Sequence, residues 1–341
     1  MDTTTFKRLV RFVPKSDSTR ILIGEPSQED LDIGVATRDG KDVTVNVFTG
    51  SSVLSPGTRT DRTESIERIL SPLAQEEVGT IRCIGLNYVQ HANEVKMDIP
   101  KIPTLFLKPS TALGDPWPAP TFLPKITQND GSGDYESELA VVIGKAAKNV
   151  FEENAMDYVL GYTAANDVSS RVSQLNQSQW CFSKGFDGAC PIGPVLVSTS
   201  AVADPSKLHI RGLKNGKVLQ DCSLDDLIFS IPKLVSFLSQ GTTLPAGTVI
   251  ITGTPAGVGM GRAPKRTWNM VTNSELRFCL TSERWLASLR TSSGLSRSIR
   301  RACNNNEPTR DVRSLSNNLT WYFVHALNPG RSLSPIYPQS G

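Results

Sequence analysis

Two carboxylates stand two residues apart in Asp134-Tyr135-Glu136-Ser137-Glu138-Leu139, directly before the apolar run Ala140-Val141-Val142-Ile143. If that run is a strand, side chains alternate and Glu136 and Glu138 face the same side. Two acids so close repel, so one stays protonated unless a cation sits between them. Spacing alone fits either a solvated strand edge or acids entering the interior. The apolar run favours the interior, where acids need a partner. Asp167 ends a second strand-like segment and reads either as a third site carboxylate or as a turn or capping residue. Three carboxylates without a His or Cys cluster form a hard, oxygen-rich donor set. That set suits Mg2+, Mn2+ or Ca2+ rather than Zn2+.

Histidine is scarce: His91, His209 and His325. His209 lies in the apolar segment Leu208-His209-Ile210 and reads as structural. His91 and Glu94 are three residues apart, so on a helical turn they share a face. A carboxylate beside an imidazole orients it and raises its basicity, which suits a general base; a surface helix pair has the same spacing. Lys184 lies among apolar neighbours in Phe182-Ser183-Lys184-Gly185-Phe186, although most lysines are exposed. Thr252-Gly253-Thr254-Pro255-Ala256-Gly257-Val258-Gly259 follows a strand-like run. It has neither the Lys-Ser/Thr of a P-loop nor a following dinucleotide unit. We read it as backbone N–H groups and threonine hydroxyls offered to a carboxylate.

These groups need elements to hold them. Strands are expected over 6–12, 21–26, 81–86, 104–108, 139–144 and 248–252, with a hairpin at 33–40 signalled by Asp39-Gly40. Helical segments are expected over 65–73, 88–95 and 155–160. Another is expected from a Ser223 cap through 227–238, kinked at Pro232. The resulting division is a small β-rich N-terminal domain over 1–75, a catalytic domain over 76–262, and an atypical tail over 263–341.

The chain has 341 residues, 36 basic and 33 acidic. Its charge is uneven, with 11 basic and 4 acidic residues after Arg262 against 25 and 29 up to and including it. The tail is rich in Arg and Ser and has no clean period, so it reads as poorly ordered or as sequence foreign to the fold. Within it, the runs at 276–280 and 321–324 are the candidates for a substitute strand. It carries no basic repeat on a helical face, so nucleic acid is not the expected partner. No long apolar run exists to cross a membrane. No secretory signal is expected, because the first residues lack an apolar stretch, and six Cys without CxxC pairs read as free thiols. A cytoplasmic location is expected, with a mitochondrial one as the alternative.

Taken together, the motifs resemble the fumarylacetoacetate hydrolase family. The nearest branch is that of fumarylacetoacetate hydrolase domain-containing acylpyruvases, oxaloacetate decarboxylases and tautomerases, and homoprotocatechuate-pathway isomerases. The resemblance covers residues 6–262. It rests on Gly85-Leu86-Asn87-Tyr88 with His91 and Glu94, Phe106-Leu107-Lys108-Pro109, Tyr135-Glu136-x-Glu138, Asn166-Asp167-Val168-Ser169-x-Arg171, Lys184-x-Phe186-Asp187 and the Thr-Gly-Thr-Pro loop at 252–255. It implies an α+β, predominantly β fold: a mixed β-sheet roll around the site, usually as a homodimer. It implies one divalent metal on Glu136, Glu138 and Asp167. Lys184 would contact substrate oxygens, and His91 and Glu94 would form a dyad on a closing segment. Arg171, Gln174 and Thr254 would contact substrate. Substrates would be small 2-oxo acids such as oxaloacetate, acylpyruvates or fumarylacetoacetate-like compounds, and the metal would stabilise an enolate. Gly185 stands where the family commonly has Ser, and the family's closing strands are not recognisable after Arg262. The alternative is therefore a catalytically impaired remnant with a non-native C-terminus.

Overall fold

The computed structural model describes residues 6–262, apart from 129, 130, 203 and 215, together with the backbone of 276–281. The strands in the first half of the chain are β1 Arg8–Pro14, β2 Leu22–Pro26, β3 Thr44–Phe48, β4 Arg59–Leu70, β5 Thr80–Gly85, β6 Thr104–Pro109, β7 Leu113–Gly114 and β8 Gly133–Asp134. Those in the second half are β9 Ser137–Ile143, β10 Val159–Asn166, β11 Ser169–Ser170, β12 Cys190–Ser198, β13 His209–Lys214, β14 Lys217–Ser223, β15 Val249–Ile251 and β16 Leu276–Thr281. Helices are few and short: α1 Ile33–Arg38, α2 Gln75–Val78, α3 Val89–Val95, α4 Lys125–Gln128, α5 Arg171–Leu175, α6 Cys181–Lys184 and α7 Ile231–Ser239. The fold is mostly β, as expected.

A continuous ladder runs β2-β3-β4-β1-β12-β10-β9-β15-β5-β6. Because β1 also pairs with β2, the four N-terminal strands close into a ring, and the first residues of β1 extend the ladder to β12. Most pairs are antiparallel, but β15 and β5 are parallel, so the sheet is mixed. β9 is buried along its whole length. Leu139, Val141 and Ile143 enter one core with Leu234, Val235 and Leu238 of α7, while Ala140 and Val142 enter a second core with Cys83 and Phe106. Such two-sided burial explains the unbroken apolar run.

Several local readings are corrected. Residues 65–73 are not a helix: Ile66, Ile69 and Leu70 have helical spacing, yet the segment is the end of β4. A register shift opposite Val13/Pro14 lets both Ile66 and Ile69 turn inward, so pairing with β1 overrides the period. The expected hairpin at 33–40 is α1, capped by the Asp32 side chain accepting from Val35 N. The segment expected as helix at 155–160 is a 3-10 turn over Glu152–Tyr158 that passes into β10. Ser230, not Ser223, caps the last helix, and Pro232 falls in its first turn, where it starts the helix instead of kinking it.

Of the two candidate runs in the tail, the one at 276–280 is a strand. Leu276–Thr281 forms β16, antiparallel to β13, so a strand follows Arg262 after all. The rest of the expectation for the tail, including the run at 321–324, lies outside the described residues.

Candidate active site

Strand register brings the acids together. β9 and β10 pair with Glu138 opposite Ala165 and Ser137 opposite Asn166, and Asp167 N donates to Glu136 O at 2.9 Å. Asp167 thus stands across from Glu136, on the face that Glu136 shares with Glu138. Ala165, opposite Glu138, leaves room for the carboxylates. Oxygens of Glu136, Glu138 and Asp167 all lie within 4.8 Å of one another, and all three residues are buried.

Cations surround them. Lys184, at the end of α6, donates from Nζ to Glu136 Oε2 at 2.8 Å and to Asp167 Oδ2 at 2.6 Å. Lys108 Nζ lies 2.6 Å from Asp167 Oδ1 and donates to Ala189 O at 2.7 Å. Arg171 opens α5; its Nη1 donates to Glu136 Oε1 at 2.5 Å and to Gln174 Oε1 at 2.9 Å, and its Nε donates to Asp134 Oδ2 at 2.8 Å. Burial works against the charged form of Glu136, but Lys184 and Arg171 override it and bring the carboxyl down to about 2. Glu138 goes the other way: burial first, then the neighbouring Asp167 and Glu136, push its carboxyl well above the usual range. The expected conflict between paired acids therefore falls on Glu138. Burial alone would lower Lys184, yet Asp167 and Glu136 raise it, so it is held as an ammonium.

The dyad sits on α3. His91 Nδ1 is 2.9 Å from Glu94 Oε2, and Glu94 Oε1 accepts from Gly257 N at 2.9 Å. Burial of Glu94 is outweighed by these bonds, so its carboxyl lies below its ordinary value. An imidazolium at His91 would also lower Glu136, so the dyad lies within electrostatic reach of the acids.

The glycine-rich loop does offer backbone N–H groups to carboxylates, and those carboxylates belong to the protein. Gly253 N donates to Glu138 Oε2 at 2.7 Å, Gly257 N to Glu94, and Gly259 N and Met260 N to Asp134 at 2.9 Å each. Gly257 has φ +109, and a Cβ there would lie 2.0 Å from Leu219 O, so only glycine fits. The Thr254 hydroxyl donates to Ser137 O at 3.0 Å and accepts from Gln220 Nε2 at 2.7 Å. It is turned into the loop's own packing. Gly185 is also a packing requirement, because a Cβ there would lie 2.3 Å from Cys181 O.

Three site residues were missed by sequence reasoning. Lys108 and Asp134 lie inside quoted motifs without a role, although a lysine at an inward position of a strand beside Phe106 is itself a signal. Gln220 gave none: its side chain accepts from Ser137 N and donates to Thr254 and Pro255 across a long sequence gap.

The chain matches the Fumarylacetoacetate (FAA) hydrolase C-terminal family over residues 80–288. It belongs to that family. The match passes Arg262 and includes β16, so the family's sequence continues further than the motifs alone reach. Caffeoylpyruvate hydrolase of Neonothopanus nambi is 43% identical over 265 residues, 76% of this chain and 85% of that one. Oxaloacetate tautomerase YisK of Bacillus subtilis (strain 168) is 43% identical over 189 residues, 54% of this chain and 62% of that one. The crystal structure of 2-hydroxyhepta-2,4-diene-1,7-dioate isomerase from Mycobacterium marinum superposes with a TM-score of 0.60 at 31% identity, covering 74% of this chain and 89% of that one. The chain is thus an enzyme of a family whose named members include hydrolases, tautomerases and isomerases. Among the described residues no helix is long and apolar enough to cross a membrane.

Proposed function

We propose that this protein is a divalent-metal-dependent enzyme acting on a small 2-oxo acid, such as an acylpyruvate or oxaloacetate, through an enolate. The observation that carries the reading is the buried triad Glu136, Glu138 and Asp167 with Lys184 bonded to two of its members. The donor set fits a hard cation. With all four ionised, Asp134, Glu136, Glu138 and Asp167 would outnumber the buried Lys108, Lys184 and Arg171 by one negative charge, the excess that Glu138 sheds by holding its proton. A divalent ion reverses that excess, relieves Glu138, and leaves the site positive for an anionic substrate. Carboxylate oxygens carry two lone pairs, so bonds from lysine leave room for coordination. Mg2+ or Mn2+ is the expected ion, with Ca2+ the alternative.

When bound, the ion supplies Lewis acidity toward the carboxylate and keto oxygens of a 2-oxo acid. Lys184 holds a second positive charge where enolate charge develops. Arg171 Nη2 is buried without a hydrogen-bond partner among the described residues, so it is a ready donor for a substrate carboxylate. His91, oriented by Glu94, activates water for C–C hydrolysis or carries the proton of a tautomerisation. Acylpyruvate is the first substrate to test, because the similarity to the caffeoylpyruvate hydrolase spans 76% of this chain. A homodimer accompanies this reading, in the cytoplasm or, as with the mitochondrial oxaloacetate tautomerase fahd2 of Xenopus laevis, in mitochondria.

The test is a panel of acetylpyruvate, oxaloacetate and fumarylacetoacetate with Mg2+ or Mn2+. Turnover lost in EDTA and restored by the metal is expected. Undiminished turnover in EDTA overturns the metal assignment.

A further inference from the structure

Among the described residues, Asn87 hydrogen-bonds to none of the site's acids and is not part of the dyad, yet it is fully buried and heavily bonded. Its Nδ2 donates to Thr252 O at 2.8 Å and to Phe229 O at 3.2 Å, and its Oδ1 accepts from Phe229 N at 2.8 Å. The Thr252 carbonyl and the Gly253 N–H belong to one planar peptide unit. The N–H end of that unit donates to Glu138 Oε2 at 2.7 Å. Asn87 therefore grips one end of the peptide whose other end holds Glu138. The approach is close: Gly253 has φ +93, and a Cβ there would lie 2.8 Å from Asn87 Cβ.

Asn87 also stands at the foot of the dyad helix. Ile228 N donates to its carbonyl at 2.9 Å, and Gln90 N, in the first turn of α3, donates to Asp226 Oδ2 at 3.0 Å. Leu86, just before it, adopts φ +44, a left-handed conformation rare for a non-glycine residue. The junction is thus fixed from both sides.

We infer that Asn87 is a positioning residue that aims the Gly253 N–H at Glu138 and ties that acid's orientation to the helix carrying His91 and Glu94. The inference rests on the metal reading above. The Gly253 N–H is the partner one bond removed from Glu138, and losing such a partner typically changes metal affinity or activity by about 10–100-fold; Asn87 acts through it, so the lower end of that range is expected.

Asn87→Asp keeps an acceptor for Phe229 N–H but sets an oxygen against the Thr252 carbonyl. Calorimetry with Mn2+ alone is expected to give a Kd weaker by about tenfold in the folded variant. A purely structural Asn87 would lower the melting temperature and leave the Kd of the folded protein unchanged, and that result overturns the inference. Should the variant fail to fold, hydrogen exchange on the wild type decides. Mn2+ is expected to slow exchange at Gly253 and over residues 87–95 together, and protection at Gly253 alone overturns the coupling. Wild-type protein that binds no Mn2+ overturns the metal reading itself, an outcome distinct from unchanged affinity in the variant.

Discussion

The acid face of β9 and β10 and the dyad helix α3 hold their charges in different ways. Glu136, Glu138 and Asp167 are set by strand register, and each has a cation or a backbone N–H within bonding distance. Their environment is dry: the side chains of Lys108, Lys184, Asp167 and Glu136 are 0–9% exposed. His91 and Glu94 sit on a seven-residue helix with side chains 12% and 17% exposed, and Glu94 is joined to the loop by one bond from Gly257. A helix this short has little stability of its own. The contrast implies a division of labour. On the proposed reading, the acid face would stay in place through a catalytic cycle, whereas the part of α3 beyond its anchored junction at Asn87 and Gln90 would shift at the cost of few contacts.

Breaking the acid face should give the largest effect. Glu138→Ala is expected to abolish metal-dependent turnover while the protein stays folded, since removing this acid relieves its repulsion with Asp167 and Glu136. Calorimetry showing unchanged Mg2+ affinity in that variant would sink the assignment. The next effect belongs to the dyad. His91→Ala should lower turnover by about 10²–10⁴-fold, the usual worth of general acid–base catalysis. Mn2+ affinity and the binding of oxalate should hold, because α3 supplies no ligand to the triad. A fall of less than about threefold on every substrate would erase the contrast between the two regions.

Lys108 sharpens the comparison through stability. Removing one partner of a buried ion pair typically costs about 3–5 kcal/mol, because the other charge is left without compensation. Lys108→Met should therefore lower the melting temperature in EDTA and recover part of the loss on adding Mn2+, since a ligand bound only to the native state stabilises it. Equal melting temperatures for variant and wild type in EDTA would show that Asp167 does not depend on the ammonium.

The acid face was also the more legible region in sequence. Period-two alternation links Glu136 to Glu138, and the apolar run after them favours an interior strand over a solvated edge with the same spacing. That Asp167 lies opposite Glu136 depends on the register of β9 with β10, which no local rule supplies. The three-residue spacing put His91 and Glu94 on one face, but a surface helix pair has the same spacing, and only the resemblance to the family gave the pair a role. What stayed hidden were contacts across long sequence distances: Lys108 to Asp167, Gln220 to Ser137 and Thr254, and Asn87 to Thr252. The elements misread, β4 and α1, failed for a related reason. A helical period in Ile66-x-x-Ile69-Leu70 and a turn signal at Asp39-Gly40 were overruled by a bulge and by a cap.

The smallest effect expected lies where the two regions meet, in the loop that bonds both Glu138 and Glu94. Family resemblance gives Thr254 a substrate contact, and its bonding argues for a different part. A hydroxyl has one proton to donate, and that of Thr254 goes to Ser137 O. An anionic 2-oxo acid needs donors, so Thr254 can serve it only by giving up this bond. Its oxygen also accepts from Gln220 Nε2, which in turn holds Pro255 O. Thr254→Val removes both hydroxyl bonds at nearly constant volume and should cost about 1–3 kcal/mol of stability, the penalty for leaving buried partners unpaired. KM should change by less than about threefold, because loop packing alone is weakened. A KM raised tenfold or more with an unchanged melting temperature would instead make the hydroxyl a substrate contact. In that case the loop, like α3, would rearrange when the site fills.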